Sequence, residues 1–285
     1  NVEQAFATYD LGNGAAITAG RYASMLGFEA FEPTGLYQYS VAYDVHDAGV
    51  FAKDDGFTQN DDNETSDATI IPRYAQGVKY TYETDSTFFG ISLQDEVFDY
   101  DGDRLGGDDA SGYGVEVAYS IAFGNGLSWF VGGAFEDSDE APGDSHVINS
   151  YATFETGAWI FAAELNYGES EADRFFLDGD AGLDEDGEEE TVFQALLMAN
   201  CAYSEQASIT GRISYGNHEL EADGAGNDEE FEFWKWTLAH AYAFTDNLSL
   251  VTEISYVDGE LDDDEGGVNF DYESLLGAVE LIFSF

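Results

Sequence analysis

Apolar and polar residues alternate with a period of two along most of this chain, which is the pattern of β-strands. Residues 113–123 show the alternation clearly, because Tyr113, Val115 and Val117 lie on one apolar face and small or polar residues lie on the other. The same alternation recurs over residues 159–167, 207–215 and 278–285. No run approaches the roughly 18 apolar residues of a membrane-spanning helix. The pattern predicts an all-β chain.

The composition of the second face distinguishes a membrane barrel from a soluble sandwich. In a soluble β-sandwich the apolar face points to the core, and the outer face is polar. Here the polar face carries mainly Gly, Ala, Ser, Thr, Asn and Gln with isolated charges, which suits a water-filled lumen. The apolar face tends to carry aromatic residues near its ends, as an interfacial girdle requires. The pattern therefore predicts a transmembrane, antiparallel, up-and-down β-barrel in a single domain, 1–285.

The alternating segments predict thirteen strands within the chain. They fall near residues 2–11, 15–23, 76–84, 86–98, 111–123, 127–137, 146–156, 158–169, 190–204, 207–220, 229–244, 248–260 and 270–284. Single-chain bacterial barrels usually have an even number of strands. We therefore expect about 14 strands (12–16), with one strand ahead of Asn1. A strand over residues 37–52 is the alternative source of an extra strand.

The connections between these strands alternate between short turns and long acidic loops. The short turns lie at residues 12–14, 84–86, 124–126, 156–157, 205–206 and 245–247. The acidic loops lie at about 99–110, 138–145, 170–189, 221–228 and 261–268. Membrane barrels have short periplasmic turns and long outer loops in this order.

Residues 24–75 form one further connection, which is too long for a simple loop. It contains apolar and aromatic residues such as Met25, Phe28 and Tyr37. A loop with this content must pack against other parts of the molecule. We expect it to fold into the lumen and to narrow it.

The chain of 285 residues carries 59 Asp and Glu against 8 Lys and Arg, which gives a formal charge of −51. This balance excludes a nucleic-acid partner, because binding to phosphates requires Lys and Arg. The lone cysteine, Cys201, excludes a disulfide scaffold. A negative channel mouth would concentrate cations, so we expect a mild cation preference that weakens at high salt.

Few charged residues are candidates for the lining of a constriction. They are Arg21, Lys79, Arg212 and Lys235 on the basic side, and Glu29, Glu32, Glu116 and Glu164 on the acidic side. Opposed charges at a constriction set the selectivity of many channels. The alternative interpretation is that these charges pair across the wall and make the barrel rigid.

The spacing of Asp99, Asp101 and Asp103 resembles the start of a calcium loop. The Gly at the sixth position and the Glu at the twelfth position of a complete EF-hand are missing. Two interpretations stay open: a solvated acidic surface suited to saline water, or a weak Ca²⁺ site that bridges loops to each other or to lipopolysaccharide. We expect no other cofactor.

A more specific signal lies in residues 11–40. It combines a Gly-Asn-Gly turn at 12–14 with Ala19-Gly20-Arg21, Leu26-Gly27-Phe28-Glu29, Glu32-Pro33 and Tyr39-Ser40. In these features the stretch resembles the signature region of the β-barrel porin family of the OmpL-like, porin-2 type, and residues 74–82 look like its return strand. The C-terminal Phe285 looks like the assembly signal of outer-membrane barrels. The resemblance implies a diffusion channel of the bacterial outer membrane.

Three functions are compatible with the sequence, and a porin for passive diffusion of small hydrophilic solutes or cations is the main hypothesis. The second is a structural or adhesion barrel with a plugged lumen and Ca²⁺-binding acidic loops. The third is a secreted, soluble β-sandwich. An enzyme is not expected, because the four histidines are scattered and no Gly-x-Ser-x-Gly motif occurs. The expected partners are outer-membrane lipid, lipopolysaccharide, the solute and a possible second copy of the chain.

Overall fold

The computed structural model describes residues 4–29, 36–45, 68–95, 97–98, 112–138, 144–170, 188–222, 228–263 and 268–284. These residues form β1 (Ala5–Gly12), β2 (Ala15–Ala23), β3 (Tyr74–Glu83), β4 (Thr87–Gln94), β5 (Gly112–Ala122), β6 (Leu127–Ser138), β7 (Asp144–Thr156), β8 (Trp159–Ser170), β9 (Glu188–Ala202), β10 (Ala207–Ala222), β11 (Glu229–Thr245), β12 (Leu248–Asp263) and β13 (Val268–Phe283). No helix in these ranges is long and apolar enough to cross a membrane.

Every strand pairs with its neighbours in the sequence, so the order in the sheet runs from β1 to β13 without a crossover. The antiparallel ladder extends from Ala5 opposite Arg21 at one edge to Leu248 opposite Phe283 at the other. The expected all-β, up-and-down architecture is confirmed. The thirteen expected segments also correspond to the thirteen strands. Within the described ranges no pairing joins β13 to β1, and the strand expected ahead of Asn1 stays a prediction.

Two expectations about strand limits need correction. Residues 36–45 form turns and bends with a single bridge at Asp44, so a strand over 37–52 is wrong for this part, and 46–52 lie outside the described ranges. β4 ends at Gln94 rather than at 98. The chain leaves the sheet there because the backbone amides of Val97 and Phe98 donate hydrogen bonds to Glu136, at 2.6 and 2.9 Å.

The short connections all lie at one end of the strands, which is the periplasmic end in outer-membrane barrels. The turn between β1 and β2 shows why its sequence suits a tight hairpin. Gly12, Asn13 and Gly14 have φ angles of 84°, 55° and 83°, a region that glycine and asparagine tolerate best. A Cβ atom on Gly14 would lie 1.9 Å from the carbonyl oxygen of Glu83 in β3, so the turn also requires glycine for a close approach.

The two faces of the sheet have the distribution expected for a membrane barrel. Leu165 and Leu197 on the outward face are 55% and 63% exposed, although both are large apolar residues. Their neighbours Asn166 and Glu164 on the inward face are 1% and 3% exposed. A soluble protein buries the apolar face instead. The exposed apolar face is therefore the surface that contacts lipid.

This pattern reverses at the outer ends of the long strands. β9 to β13 contain 15 to 17 residues, whereas β1 to β4 contain 8 to 10. In the outer part of β11, Phe231 and Phe233 point inward and are buried, and Glu230 and Glu232 point outward and are exposed. The reversal marks the outer limit of the apolar surface. Beyond it, towards the outer ends of the long strands, the outward face is polar.

Candidate functional site in the barrel lumen

The connection between β2 and β3 lies against the inward face of the sheet. We call its described parts, residues 24–29, 36–45 and 68–73, the infolded segment. Its ends are joined by a hydrogen bond from the backbone N of Ser24 to the carbonyl of Arg73, at 2.8 Å. A second bond of 3.0 Å runs from the N of Ala68 to the carbonyl of Tyr43. Elsewhere the segment has little regular structure, so its backbone needs partners on the wall.

Glu253 of β12 supplies one of these partners. Its carboxylate accepts hydrogen bonds from the backbone amides of Tyr39 and Ser40, at 2.7 and 3.0 Å. It also accepts a bond from the Ser40 hydroxyl at 2.5 Å. Glu253 is only 6% exposed, so these donors take the place of water around the carboxylate. One wall side chain thus holds two consecutive residues of the infolded segment.

Glu164 of β8 and Asn149 of β7 hold residues 27 and 28 of the infolded segment. The amide of Phe28 donates to Glu164 at 2.7 Å, and the amide of Gly27 donates to Asn149 at 3.0 Å. The Tyr43 hydroxyl donates to the other oxygen of Glu164 at 3.3 Å. Burial raises the pKa of Tyr43 well above its usual value, and the charge of Glu164 adds to this shift. Tyr43 therefore keeps its proton and stays a donor.

Glu116 of β5 fixes the start of the segment. Its carboxylate accepts a hydrogen bond from the Ser24 hydroxyl at 2.9 Å and another from the backbone amide of Met25. Glu116 is 1% exposed. Three inward carboxylates from different strands thus hold N–H groups of one irregular segment, and a buried N–H group without an acceptor would be costly.

Two basic residues of the wall hold the carbonyl groups of the same segment. Arg212 of β10 donates to the carbonyls of Ser40 and Val41, both at 2.9 Å, and to the carboxylate of Glu29 at 2.6 Å. Lys235 of β11 donates to the carbonyls of Val41 and Asp44, at 2.9 and 2.7 Å. Arg212 is 2% exposed, and Lys235 is completely buried. These bonds fix the segment against β10 and β11.

The structure brings together five of the residues singled out in the sequence: Glu29, Glu116, Glu164, Arg212 and Lys235. Lys79 lies near Glu116, close enough for the two charges to interact. Its ammonium group is 4.3 Å from the centre of the Tyr22 ring and 3.3 Å from the carbonyl of Ala23. Arg21 lies on the outward side of β2 with Ile17 and Ala19, opposite to Tyr22.

Four residues predicted as luminal charges or Ca²⁺ ligands lie in other parts of the chain. Glu32, Asp99, Asp101 and Asp103 lie outside the described residues. Within the described ranges, no group of three or more His, Cys, Asp or Glu residues is arranged to hold a metal ion. The Ca²⁺ hypothesis for the acidic loop at 99–110 therefore stays a prediction.

Several residues of this network were missed by the sequence reasoning. They are Glu253 and Asn149, which hold the infolded segment, Glu136, which holds the end of β4, and Gln194, whose amide donates to the carbonyl of Ala68. His218 also lies in the wall, completely buried and 3.3 Å from Glu190. All are polar residues at inward positions of their strands. The alternation of inward and outward positions in the sequence could have identified them as luminal.

Two parts of the inward face stay accessible. On the periplasmic side, Ser128, Thr153 and Ser208 are half-buried, although they share their strands with fully buried luminal groups. On β13, Ser274 and Glu280 are also half-buried at inward positions. The infolded segment thus packs on the wall from β4, where Met25 lies against Gly90, to β12, where Glu253 holds Tyr39 and Ser40. β13 is an edge of the described sheet, so its inward residues lie at an open edge, whereas Ser128, Thr153 and Ser208 lie below the segment.

A curved sheet with a lipid-facing exterior, short turns at one end and a polar lumen defines an outer-membrane β-barrel. The sequence model of one family matches residues 67–285, and its description reads "Putative beta-barrel porin-2, OmpL-like". The chain belongs to this family of porin-like channels, and it is a protein of the bacterial outer membrane. A comparison with curated proteins found no match.

Solved structures of outer-membrane proteins share the fold. OmpT of Vibrio cholerae, expressed in the outer membrane, has 11% identity and a TM-score of 0.61, with 100% of this chain and 81% of that chain covered. The trimer form of in-vitro folded OmpT has 13% identity and a TM-score of 0.52, with coverage of 94% and 77%. The outer-membrane channel DcaP of Acinetobacter baumannii has 12% identity and a TM-score of 0.54, with coverage of 94% and 71%.

Replacing Glu253 by Ala should loosen the infolded segment. Each buried N–H group left without an acceptor costs about 1–3 kcal/mol, so we expect a lower free energy of unfolding and faster proteolysis within the segment. Urea unfolding and limited proteolysis of the folded protein in detergent measure both effects. Glu253→Gln keeps an oxygen acceptor and should lower the free energy of unfolding by less than Glu253→Ala. Glu83→Ala, at an exposed inward position of β3, is the control, and equal effects of E253A and E83A would contradict the assignment.

Proposed function

We propose that this protein is a porin through which small hydrophilic solutes and ions diffuse passively, with a mild preference for cations. The proposal rests mainly on the uneven burial of the inward face. The wall groups that hold the infolded segment are almost inaccessible, whereas Thr153 and Ser208, inward residues on its periplasmic side, are partly exposed. The lumen below the segment is therefore open to water.

The distribution of accessible charge supports the cation preference. Arg212 and Lys235 are buried and donate to backbone carbonyls, so they contribute little to the surface that a solute meets. Glu83, Glu155 and Glu280 occupy inward positions and are exposed or half-buried. Together with the formal charge of −51, these carboxylates give the path a negative potential, which attracts cations and repels anions.

Conductance in a planar bilayer under a KCl gradient tests this function. We expect stable current steps and a cation-selective reversal potential at low salt that shrinks as ionic strength rises, because salt screens the carboxylates. Glu280→Gln should reduce the selectivity, since it removes an inward charge. Glu189→Gln, on the exposed outward side of β9, is the matched control. An anion-selective reversal potential at low salt would contradict the proposal.

The accessible part of the lumen can be tested with a pair of serines. Ser208 of β10 is half-buried, whereas Ser214 of the same strand, also on the inward face, is 1% exposed. In a Cys201→Ser background, Ser208→Cys should react with a charged, membrane-impermeant thiol reagent and change the conductance. Ser214→Cys should react much more slowly. Equal rates of modification at the two positions would place the accessible part of the lumen elsewhere.

The second candidate function is a structural or adhesion barrel with a plugged lumen. Its support is the extent of the bonding between the infolded segment and the wall, in which Glu253, Glu164 and Arg212 each hold two or more groups of the segment. Correctly folded protein that gives no current would favour this function. Binding of Ca²⁺ by the acidic loop residues Asp99, Asp101 and Asp103 belongs to the same hypothesis.

We also infer that the chain forms a homo-oligomer through its outward face. A hollow of about 910 Å³ crosses β6 to β13, with Ala163, Ala199 and Gly211 among its small residues and Leu197 and Trp236 beside them. These small residues leave a recess in the outward face, and a Cβ atom on Gly211 would meet no other atom within 4 Å. A second copy of the chain could fill the recess, and one similar structure, OmpT, is described in a trimer form.

Gly211→Phe should disrupt this contact by filling the recess. We expect loss of the oligomer in native electrophoresis or in mass measurements of the detergent complex, without a change in the fold. Gly277→Phe on β13 is the matched control, because Gly277 is also outward and open but is not part of the lining of the hollow. A monomeric wild-type protein, or equal oligomers in both variants, would refute the proposed interface.

A further inference from the structure

Four aromatic residues form a continuous cluster where the infolded segment meets the wall. We call Phe28 and Tyr37 of the segment, Phe130 of β6 and Tyr151 of β7 the aromatic ceiling. The rings of Phe28 and Tyr37 are nearly parallel, with centroids 6.4 Å apart. The ring of Phe28 meets Tyr151 edge to face at 5.7 Å, and Tyr151 stacks on Phe130 at 4.5 Å. Phe130 is buried, and the other three are only partly buried.

The three partly buried rings lie at the periplasmic border of the infolded segment. Tyr151 lies two residues nearer to the periplasmic turn of β7 than Asn149, which holds the infolded segment. The carbonyl of Tyr37 accepts a bond of 3.1 Å from Thr210, which is close to the periplasmic start of β10. The inward positions below carry the small, half-buried side chains of Thr153 and Ser208. Solvent therefore reaches the inward face on the periplasmic side of the rings.

The charge near this space is negative. Glu155 follows Tyr151 and Thr153 on the inward face of β7 and is exposed. Burial raises the pKa of Tyr37, and the charge of Glu155 raises it further. The basic wall residue Arg212, which holds the infolded segment, is buried and donates to Glu29 and to backbone carbonyls.

We propose that the aromatic ceiling and Glu155 form a binding site for small organic ammonium cations. The inference rests on the proposed open lumen, because a solute must reach the periplasmic side of the infolded segment. Faces of aromatic rings carry partial negative charge and attract cations, most effectively where water is scarce. An alkylammonium ion also has apolar methyl groups that pack on the rings, which a strongly hydrated K⁺ ion lacks. The exposed carboxylate of Glu155 supplies the opposite charge.

Choline and its neutral isostere 3,3-dimethylbutan-1-ol separate the effect of charge from that of shape. Binding is measured by calorimetry or by ligand-observed NMR on folded protein in detergent, so that it does not depend on conductance. We expect choline to bind at least about 5-fold more tightly than the alcohol, which is the scale of a cation–π contribution. Equal affinities of the two probes would overturn the proposal, since shape alone would then explain binding.

Matched variants test which residues carry the binding. Tyr151→Leu should weaken choline binding several-fold, whereas Tyr151→Phe keeps the ring and should stay within about 2-fold of the wild type. Tyr119→Leu, on the outward face of β5, controls for the loss of any tyrosine. Glu155→Gln should weaken binding and reduce its dependence on salt. Unchanged affinity in both Y151L and E155Q would overturn the assignment of the site.

Failure of the site and failure of the channel function give different results. If choline binds and Y151L weakens the binding as expected, but no current flows in a bilayer, the site stands and the open-channel proposal fails. If the protein conducts and choline neither binds nor reduces the current from the periplasmic side, the channel stands and the site is refuted.

Discussion

The structure depends on one constraint: an irregular backbone inside a barrel must find hydrogen-bond partners outside itself. The infolded segment has almost no internal ladder, so the wall supplies what its backbone lacks. Carboxylates at 116, 164 and 253 accept from N–H groups, and Arg212 and Lys235 donate to C=O groups. Because each buried polar group without a partner costs free energy, these side chains and the segment stabilise each other. The inward polarity of the wall is thus mainly structural.

This use of the wall explains why the lumen is uneven. Where the segment contacts the wall, polar groups are buried and their charges are satisfied by backbone dipoles or by each other, as in the pair of Arg212 and Glu29. On the periplasmic side of the segment, inward residues such as Thr153, Glu155 and Ser208 stay accessible. Arg212 and Lys235 are used inside the packed region, whereas Glu83 and Glu155 are exposed outside it. If the protein conducts as proposed, its selectivity depends on which charges the infolded segment leaves free, and not on the composition of the wall alone.

The high negative charge is compatible with a membrane barrel because of where the acidic residues lie. The long strands β10 to β12 continue beyond the apolar surface, and there the outward positions carry residues such as Glu230, Glu232 and Glu260. Directly opposed like charges, as in Glu232 beside Glu260, would be unfavourable in an apolar medium and are tolerated in water, where they are screened. The inward face of the same region buries Phe231 and Phe233. Each zone of a strand thus matches its surroundings.

The sequence by itself determined the strands, their order and the side to which most residues point, because a period of two is a local property of the chain. It also identified several of the luminal charges, among them Glu116, Glu164 and Arg212. Only the tertiary structure decided which groups meet: Ser40 and Glu253 are 213 residues apart, and Arg212 and Glu29 are 183 residues apart. It likewise decided that β4 ends at Gln94 and that Arg21 lies on the outward side of β2. Such contacts depend on the register between strands and on the path of the infolded segment, and no local pattern in the sequence contains either.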